Sequence, residues 1–199
     1  MNPFSKLFVE LRWRIRKKLF LNSRFWDEFD LSENFFFFAL HVQPEGSTMA
    51  KSPYYLNQIA LIENISKSIP INTTLLVKEH KGMLGHRDLG YYKELKKLLN
   101  VKVIDPKIES HTLIKNSLGV FSITGTVCLE AILFKKVAFV FGPVFWNKFS
   151  NLIDLSKIDI NDWFKIIPKM VNKNYNDEEE LLKILTKLIK NSFKGNFVE

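Results

Sequence analysis

The side chains of this chain that could do chemistry fall into three short clusters, and each cluster follows an apolar run. They are His41-Val42-Gln43-Pro44-Glu45-Gly46-Ser47 after residues 35–40, Lys78-Glu79-His80 after residues 74–77, and Ser122-Ile123-Thr124-Gly125-Thr126 after residues 118–121. Hydroxyls and a glycine leading into a helix leave backbone N–H groups and the positive end of the helix dipole facing outward, which suits a phosphate; a Thr N-cap without a ligand is the plainer alternative. Glu130 comes one helical turn after Thr126, where a carboxylate either accepts hydrogen bonds from a ribose or is simply solvated. Lys78 or His80 could neutralise a diphosphate or phosphoester. Pro44 forces a sharp exit from its strand and presents Glu45, which suits a catalytic base, a ligand for sugar hydroxyls or a loop cap, with His41, Gln43 and Ser47 beside it. The four histidines include no close pair, so no metal site is expected.

These clusters meet only if the elements before them run side by side. Residues 35–42, 73–79, 101–104, 118–123 and 137–141 read as strands, and residues 54–68, 89–99, 110–116, 127–134 and 177–193 as helices. Such alternation predicts a Rossmann-like α/β fold, an open parallel sheet of about five strands with helices on both faces and right-handed crossovers. Residues 35–40 and 137–141 are apolar without alternation, as strands covered on both faces must be. In the order 3-2-1-4-5 the first and fourth strands flank the switch point, so the first and third clusters should share a pocket. Residues 158–176 are polar and mixed and read as surface turns around a short helix.

The formal charge of +8 is uneven, because Lys6, Arg12, Arg14, Arg16, Lys17, Lys18 and Arg24 face Glu10 alone in the first segment. No recognition-helix, zinc-finger or RNP-type signature accompanies this charge, so nucleic acid is not an expected partner. Phe4, Leu7, Phe8, Leu11, Ile15 and Leu19 recur at helical spacing, so residues 1–34 read as a basic amphipathic helix and linker and residues 35–199 as the domain. The apolar face is expected to pack on the protein or a partner, with an anionic membrane surface as the other reading. Cys128 has no partner for an internal disulfide, residues 1–20 lack a signal-peptide pattern, and no apolar run is long enough to span a bilayer. The expected location is the cytoplasm, with peripheral contact at the inner face of the cytoplasmic membrane if the helix lies on it.

Leu40-His41-Val42-Gln43-Pro44-Glu45-Gly46-Ser47-Thr48, Leu61-Ile62-Glu63-Asn64, Val77-Lys78-Glu79-His80, Ile123-Thr124-Gly125-Thr126 with Glu130-Ala131, and Phe139-Val140-Phe141-Gly142 follow one another in a familiar order. Over residues 35–149 this resembles the capsule polysaccharide biosynthesis family, which includes the bacterial Kdo transferases of capsule assembly. The resemblance implies a GT-B type glycosyltransferase, two Rossmann-like domains facing a cleft, of which this chain matches the C-terminal, donor-binding half. It also implies that His80 meets the nucleotide and that Ser122, Thr124 and Thr126 form a hydroxyl-rich phosphate turn. Lys81 stands where the family usually has proline, and no N-terminal acceptor domain precedes residue 35, so a truncated or split enzyme is expected.

The expectation is a donor-binding domain of a surface-polysaccharide glycosyltransferase, with Glu45 as its catalytic residue. His41, Gln43, Ser47, Lys78, His80, Ser122, Thr124, Gly125, Thr126 and Glu130 would surround the nucleotide sugar, CMP-linked if the likeness to Kdo transferases extends to the donor. No cofactor is expected; the partners would be a glycan or glycolipid acceptor and an acceptor-domain chain. Two alternatives stand beside this reading: a noncatalytic remnant that binds a nucleotide sugar or a partner, and a sugar-nucleotide epimerase-like enzyme of the same architecture.

Overall fold

The computed structural model describes residues 3–22, 25–173, 175 and 178–190, with the side chains of all of these except residues 3–5, 19, 22, 47, 180 and 188. Short apolar runs become β1 (Phe35–Ala39), β2 (Thr74–Lys78), β3 (Val101–Ile104), β4 (Gly119–Ser122), β5 (Val137–Val140) and β6 (Leu152–Asp154). Around them lie α1 (Pro3–Asn22), α2 (Gly46–Lys51), α3 (Gln58–Ser68), α4 (Leu89–Leu95), α5 (Ser110–Asn116), α6 (Val127–Leu133), α7 (Trp163–Val171) and α8 (Glu178–Lys190). The strands pair in parallel in the order β3-β2-β1-β4-β5-β6. The expected order is therefore present, and β6 extends it by an edge strand of 3 residues, too short to signal itself by pattern.

Successive strand side chains point to opposite faces. Phe36 and Phe38 enter one layer with Leu61, Ile62 and Ile65 of α3, Leu95 of α4, and Trp163 and Ile167 of α7. Phe35 and Phe37 enter the other with Leu113 and Ile114 of α5 and Cys128, Ala131 and Ile132 of α6. A strand walled on both sides has no polar face to show, which is why β1 reads as an unbroken run. Burying each of these rings stabilises the fold by about 1.5–3 kcal/mol relative to leaving it in water.

Several boundaries differ from the sequence reading, each for a local reason. The helix read over residues 54–68 starts at Gln58, because Asn57 caps it by accepting the Ala60 N–H at 3.2 Å and Pro53–Tyr55 form a separate turn. The helix read over 89–99 stops at Leu95, after which Leu98 N–H bonds the Leu95 carbonyl at 3.2 Å and tightens the chain into β3. Residues 46–51, given no element in the sequence reading, form α2. The largest correction concerns residues 158–176: α7 occupies their centre and buries Trp163, Ile167 and Met170, so the segment belongs to the core. Helix α8 replaces the expected 177–193; Asp177 and Phe193 lie outside the described residues.

Helix α1 docks by a different side from the one its apolar spacing suggests. Leu7, Phe8, Leu11 and Ile15 are each more than half exposed. Trp13 instead donates its indole N–H to the Leu84 carbonyl at 2.9 Å, and Phe20 is buried among Phe25, Trp26 and Tyr92. Gly85 permits this approach: its φ is +86°, and a Cβ there would lie 2.9 Å from both the Trp13 carbonyl oxygen and the Lys17 nitrogen. Phe4 and Leu19 of the expected face lie outside the described side chains. The segment read as linker is bonded to the domain, since Asp27 exchanges hydrogen bonds with Val103 at 2.9 and 2.8 Å and pairs with Lys96 at 2.8 Å. Among the described residues no helix is long and apolar enough to cross a membrane.

Ile167 is fully buried, so Ile167→Ala should lower the unfolding free energy by about 2–5 kcal/mol in urea denaturation. A loss below about 0.5 kcal/mol, the surface scale, would remove α7 from the core.

Candidate functional site

His41 lies just beyond the end of β1 and is 8% exposed. Its N–H donates to Gln58 Oε1 at 2.8 Å, and its carbonyl accepts from Gln58 Nε2 at 3.3 Å and from the Arg87 guanidinium. Its ring is fixed by the end of β4. Nε2 accepts the N–H of Ile123 at 3.1 Å and that of Thr124 at 3.3 Å, and lies 2.8 Å from Ser122 Oγ. A ring nitrogen that accepts carries no proton, which assigns the proton to Nδ1, and Nδ1–H then donates to Glu45 Oε2 at 3.3 Å. Thr48 Oγ1 donates to the same oxygen at 3.3 Å. Burial holds the His41 pKa below the ordinary histidine value, and the Glu45 carboxylate only partly offsets it, so the ring is neutral near pH 7.

Glu45, His41 and Ser122 stand in the order of a carboxylate–histidine–hydroxyl triad, yet the environment disables one. Ser122 is 1% exposed, and the Nε2 lone pair faces two backbone N–H groups, so it is not placed to take a hydroxyl proton. Ser122 orients the ring; Glu45, whose side chain is 40% exposed at the N-cap of α2, is the member that reaches the cavity.

Arg87 is the residue that sequence reading missed. It is 8% exposed, its Nη1 donates to Gln43 Oε1 at 3.2 Å, and its Nε lies 2.8 Å from Glu79 Oε2. That Nε contact is off the hydrogen-bonding direction, so it acts as a charge pair and not as a directed bond. Glu79 is 1% exposed and also accepts from Tyr92 Oη at 2.8 Å and from the His80 N–H at 2.7 Å. Burial pushes its carboxyl above the ordinary value, and the Arg87 charge pulls it part of the way back. The pair fastens the end of β2 to the turn after β1.

The expected site residues sort as follows. His41, Glu45, His80, Ser122, Thr124, Gly125 and Thr126 line one cavity of about 380 Å³ at the carboxyl ends of β1 and β4. A second cavity of about 420 Å³ adjoins it, sharing His80 and Thr126 and adding Lys78, Lys81, Ser110 and Glu130. Gln43 lines neither; its amide donates to the Leu56 carbonyl at 2.5 Å and accepts from Arg87, a scaffolding role that corrects its assignment as a ligand contact. The side chain of Ser47 lies outside the described set. Lys78 is tied down too, with Nζ donating to the Ile108 carbonyl at 2.7 Å and to Ser110 Oγ at 2.6 Å, and burial draws its pKa down to about 8. His80 is exposed and accepts the Gly82 N–H on Nδ1 at 3.1 Å, so the turn at Lys81–Met83 closes without the family's proline.

At the third cluster the N–H groups of Ile123 and Thr124 are engaged by His41, so a phosphate could meet only those from Gly125 onward. Thr126 sits at the N-cap position of α6 but makes no side-chain cap bond, which sets aside the plain capping reading. Glu130 is not simply solvated, because its Oε2 lies 3.2 Å from His111 Nε2. Among the described residues no group of three or more His, Cys, Asp or Glu is placed to hold a metal ion.

Residues 27–154 match the family model described as "Capsule polysaccharide biosynthesis protein". Among solved structures, Thermosulfurimonas dismutans KpsC, a beta Kdo 2,7 transferase, is 19% identical with a TM-score of 0.51, covering 78% of this chain and 47% of that one. The UDP-GlcNAc 2-epimerase of Methanocaldococcus jannaschii is 16% identical with a TM-score of 0.57, covering 90% of this chain and 49% of that one. Its complex with UDP-GlcNAc and UDP is 17% identical with a TM-score of 0.52, covering 92% and 52%. At such identities the likeness is one of fold, and the chain spans about half the length of each of these structures. No curated protein matches the chain.

Two outcomes follow. Arg87→Met leaves Glu79 buried without its counter-charge and should cost about 3–5 kcal/mol of stability, with Glu79→Gln/Arg87→Met costing less than the sum of the single variants; additive losses would show the pair is uncoupled. The folded pKa of His41 lies below its unfolded value of 6.5, so its contribution is complete above that pH and is lost as pH falls toward the folded pKa. His41→Gln should therefore flatten the decline of the urea midpoint below about pH 6.5; an unchanged slope would mean that another group titrates there.

Proposed function

We propose, proceeding from the fact that the chain belongs to the capsule polysaccharide biosynthesis protein family, that it holds the sugar-nucleotide donor of a glycosyltransferase. One observation carries this reading: a single cavity at the switch point of the sheet brings a carboxylate, two histidines and the hydroxyl-rich Thr124–Thr126 turn together. Ligands of open parallel sheets bind in that crevice. The diphosphate or phosphoester lies against the turn from Gly125 to Val127, and the ribose end lies in the adjoining cavity with Glu130 and the cationic Lys78 and Lys81. A structural neighbour whose description includes UDP-GlcNAc and UDP supports a nucleotide sugar as the ligand class, and a CMP-linked sugar is one donor of that class.

Sugar transfer breaks the bond between the anomeric carbon and the phosphate oxygen and forms a bond from that carbon to an acceptor hydroxyl. The phosphate leaves with the electron pair, and the hydroxyl proton passes to a base. Glu45 is the group for that step: its carboxylate reaches the cavity, and the neutral His41 fixes its orientation through Nδ1–H. His41 itself is a positioning residue, since its Nε2 is engaged. The acceptor, a glycan or glycolipid, is held by a second domain or partner chain, and the reaction takes place in the cytoplasm.

Calorimetric titration with CMP-, UDP- and GDP-linked sugars tests donor binding. One base class should bind, and Thr124→Ala should weaken it by about 1–3 kcal/mol while the melting profile stays unchanged; absence of binding to every class would end the donor reading. With the acceptor half supplied, Glu45→Gln should lower turnover by about a hundredfold with donor affinity nearly unchanged. A loss of affinity with normal turnover would make Glu45 a binding residue. Isomerisation of the donor sugar without any acceptor would replace the transferase with an epimerase-like enzyme.

A further inference from the structure

The face of α1 turned away from the domain has no described partner. At about 100° per residue, Leu7, Phe8, Leu11 and Ile15 share one side of this helix. They are 66%, 65%, 55% and 53% exposed. The opposite side carries Trp13 and Phe20, whose contacts with Leu84 and Tyr92 fix the rotation of the helix, so the apolar side is held outward. By the same spacing Arg14, paired with Glu10 at 2.6 Å, borders this apolar side along one edge and Arg12 along the other, while Lys18 lies in line with the apolar side in the turn after Ile15; Arg12, Arg14 and Lys18 are all exposed.

We propose that this face seats the protein on an anionic lipid surface. Four apolar side chains with Arg12 along one edge and Lys18 in the next turn match the boundary between acyl chains and headgroups: the aliphatic stems of Arg and Lys lie along the apolar layer while their charges meet lipid phosphates. Charge selects this occupant. The first 24 residues carry six of the eight excess positive charges, so a second copy of the same face would meet like charge, whereas acidic headgroups complement it. The Trp13 and Phe20 anchors make the helix part of the folded domain, so seating it would fix the sheet relative to the membrane plane instead of leaving it on a loose tether. The inference is independent of the donor reading, because none of these residues lines the cavities at the strand ends.

The test is sedimentation of the full chain with phosphatidylcholine vesicles, with and without phosphatidylglycerol, at low and raised salt. Binding should require phosphatidylglycerol and weaken as salt rises. Leu7→Glu/Leu11→Glu should reduce it at least about tenfold, and Arg12→Gln/Lys18→Gln by about fivefold per charge removed. Circular dichroism and the urea midpoint, which these exposed positions should leave unchanged, check that each variant is folded. Equal binding to phosphatidylcholine alone, or vesicle binding that survives both double variants, would overturn the proposal. So would failure to bind vesicles when the chain binds duplex DNA or self-associates through the same residues.

Discussion

A parallel sheet ends in backbone N–H and C=O groups that the next turn of chain must satisfy, and at the switch point of this protein His41 does so on three sides. Its own N–H and C=O are taken by Gln58 and Arg87 across the β1 turn, while its ring accepts N–H groups at the end of β4. The imidazole can make these bonds only while Nε2 is unprotonated, so the burial that keeps it neutral also fixes where its remaining proton points. Glu45 is oriented as a consequence. The two strand ends that flank the crevice are thus joined through one ring, and the cavity takes its shape from that junction.

A second constraint acts behind the first. Glu79 and Arg87 are nearly inaccessible, and charges in such a place are tolerated only when paired and hydrogen-bonded, as Tyr92 and the His80 N–H ensure. Their value is geometric: Arg87 also holds the His41 carbonyl and the Gln43 amide, so the turn after β1 is fixed relative to the end of β2. Lys78 does the same on the other side by tying β2 to the start of α5. The polar groups at the floor of the site are therefore divided between those that build it and those that face outward.

That division narrows the chemistry. The outward groups are Glu45, His80, Lys81, the turn from Thr124 to Thr126, and Glu130 with its His111 neighbour. This set suits an anionic, hydroxyl-bearing ligand and offers a single carboxylate in the cavity at the switch point. The chain belongs to the capsule polysaccharide biosynthesis protein family and spans about half the length of its structural neighbours.

The sequence by itself determined the layers, the strand order and the convergence of the first and third clusters. Phe35 to Phe38 could be buried only between two helical layers, and the strand–helix alternation then left little freedom in topology. It did not determine that the short helix α7 is buried, where polar residues and Pro168 inside the helix mask a core face, nor the side of α1 that docks, where Trp13 and Phe20 outweigh a longer apolar stripe. Above all it did not show Arg87, or that Gln43 and Ser122 serve the scaffold. Periodicity records which side chains leave water, because that depends on position along one element. The choice of partner among polar groups depends on distances between elements, and those exist only once the strands stand side by side.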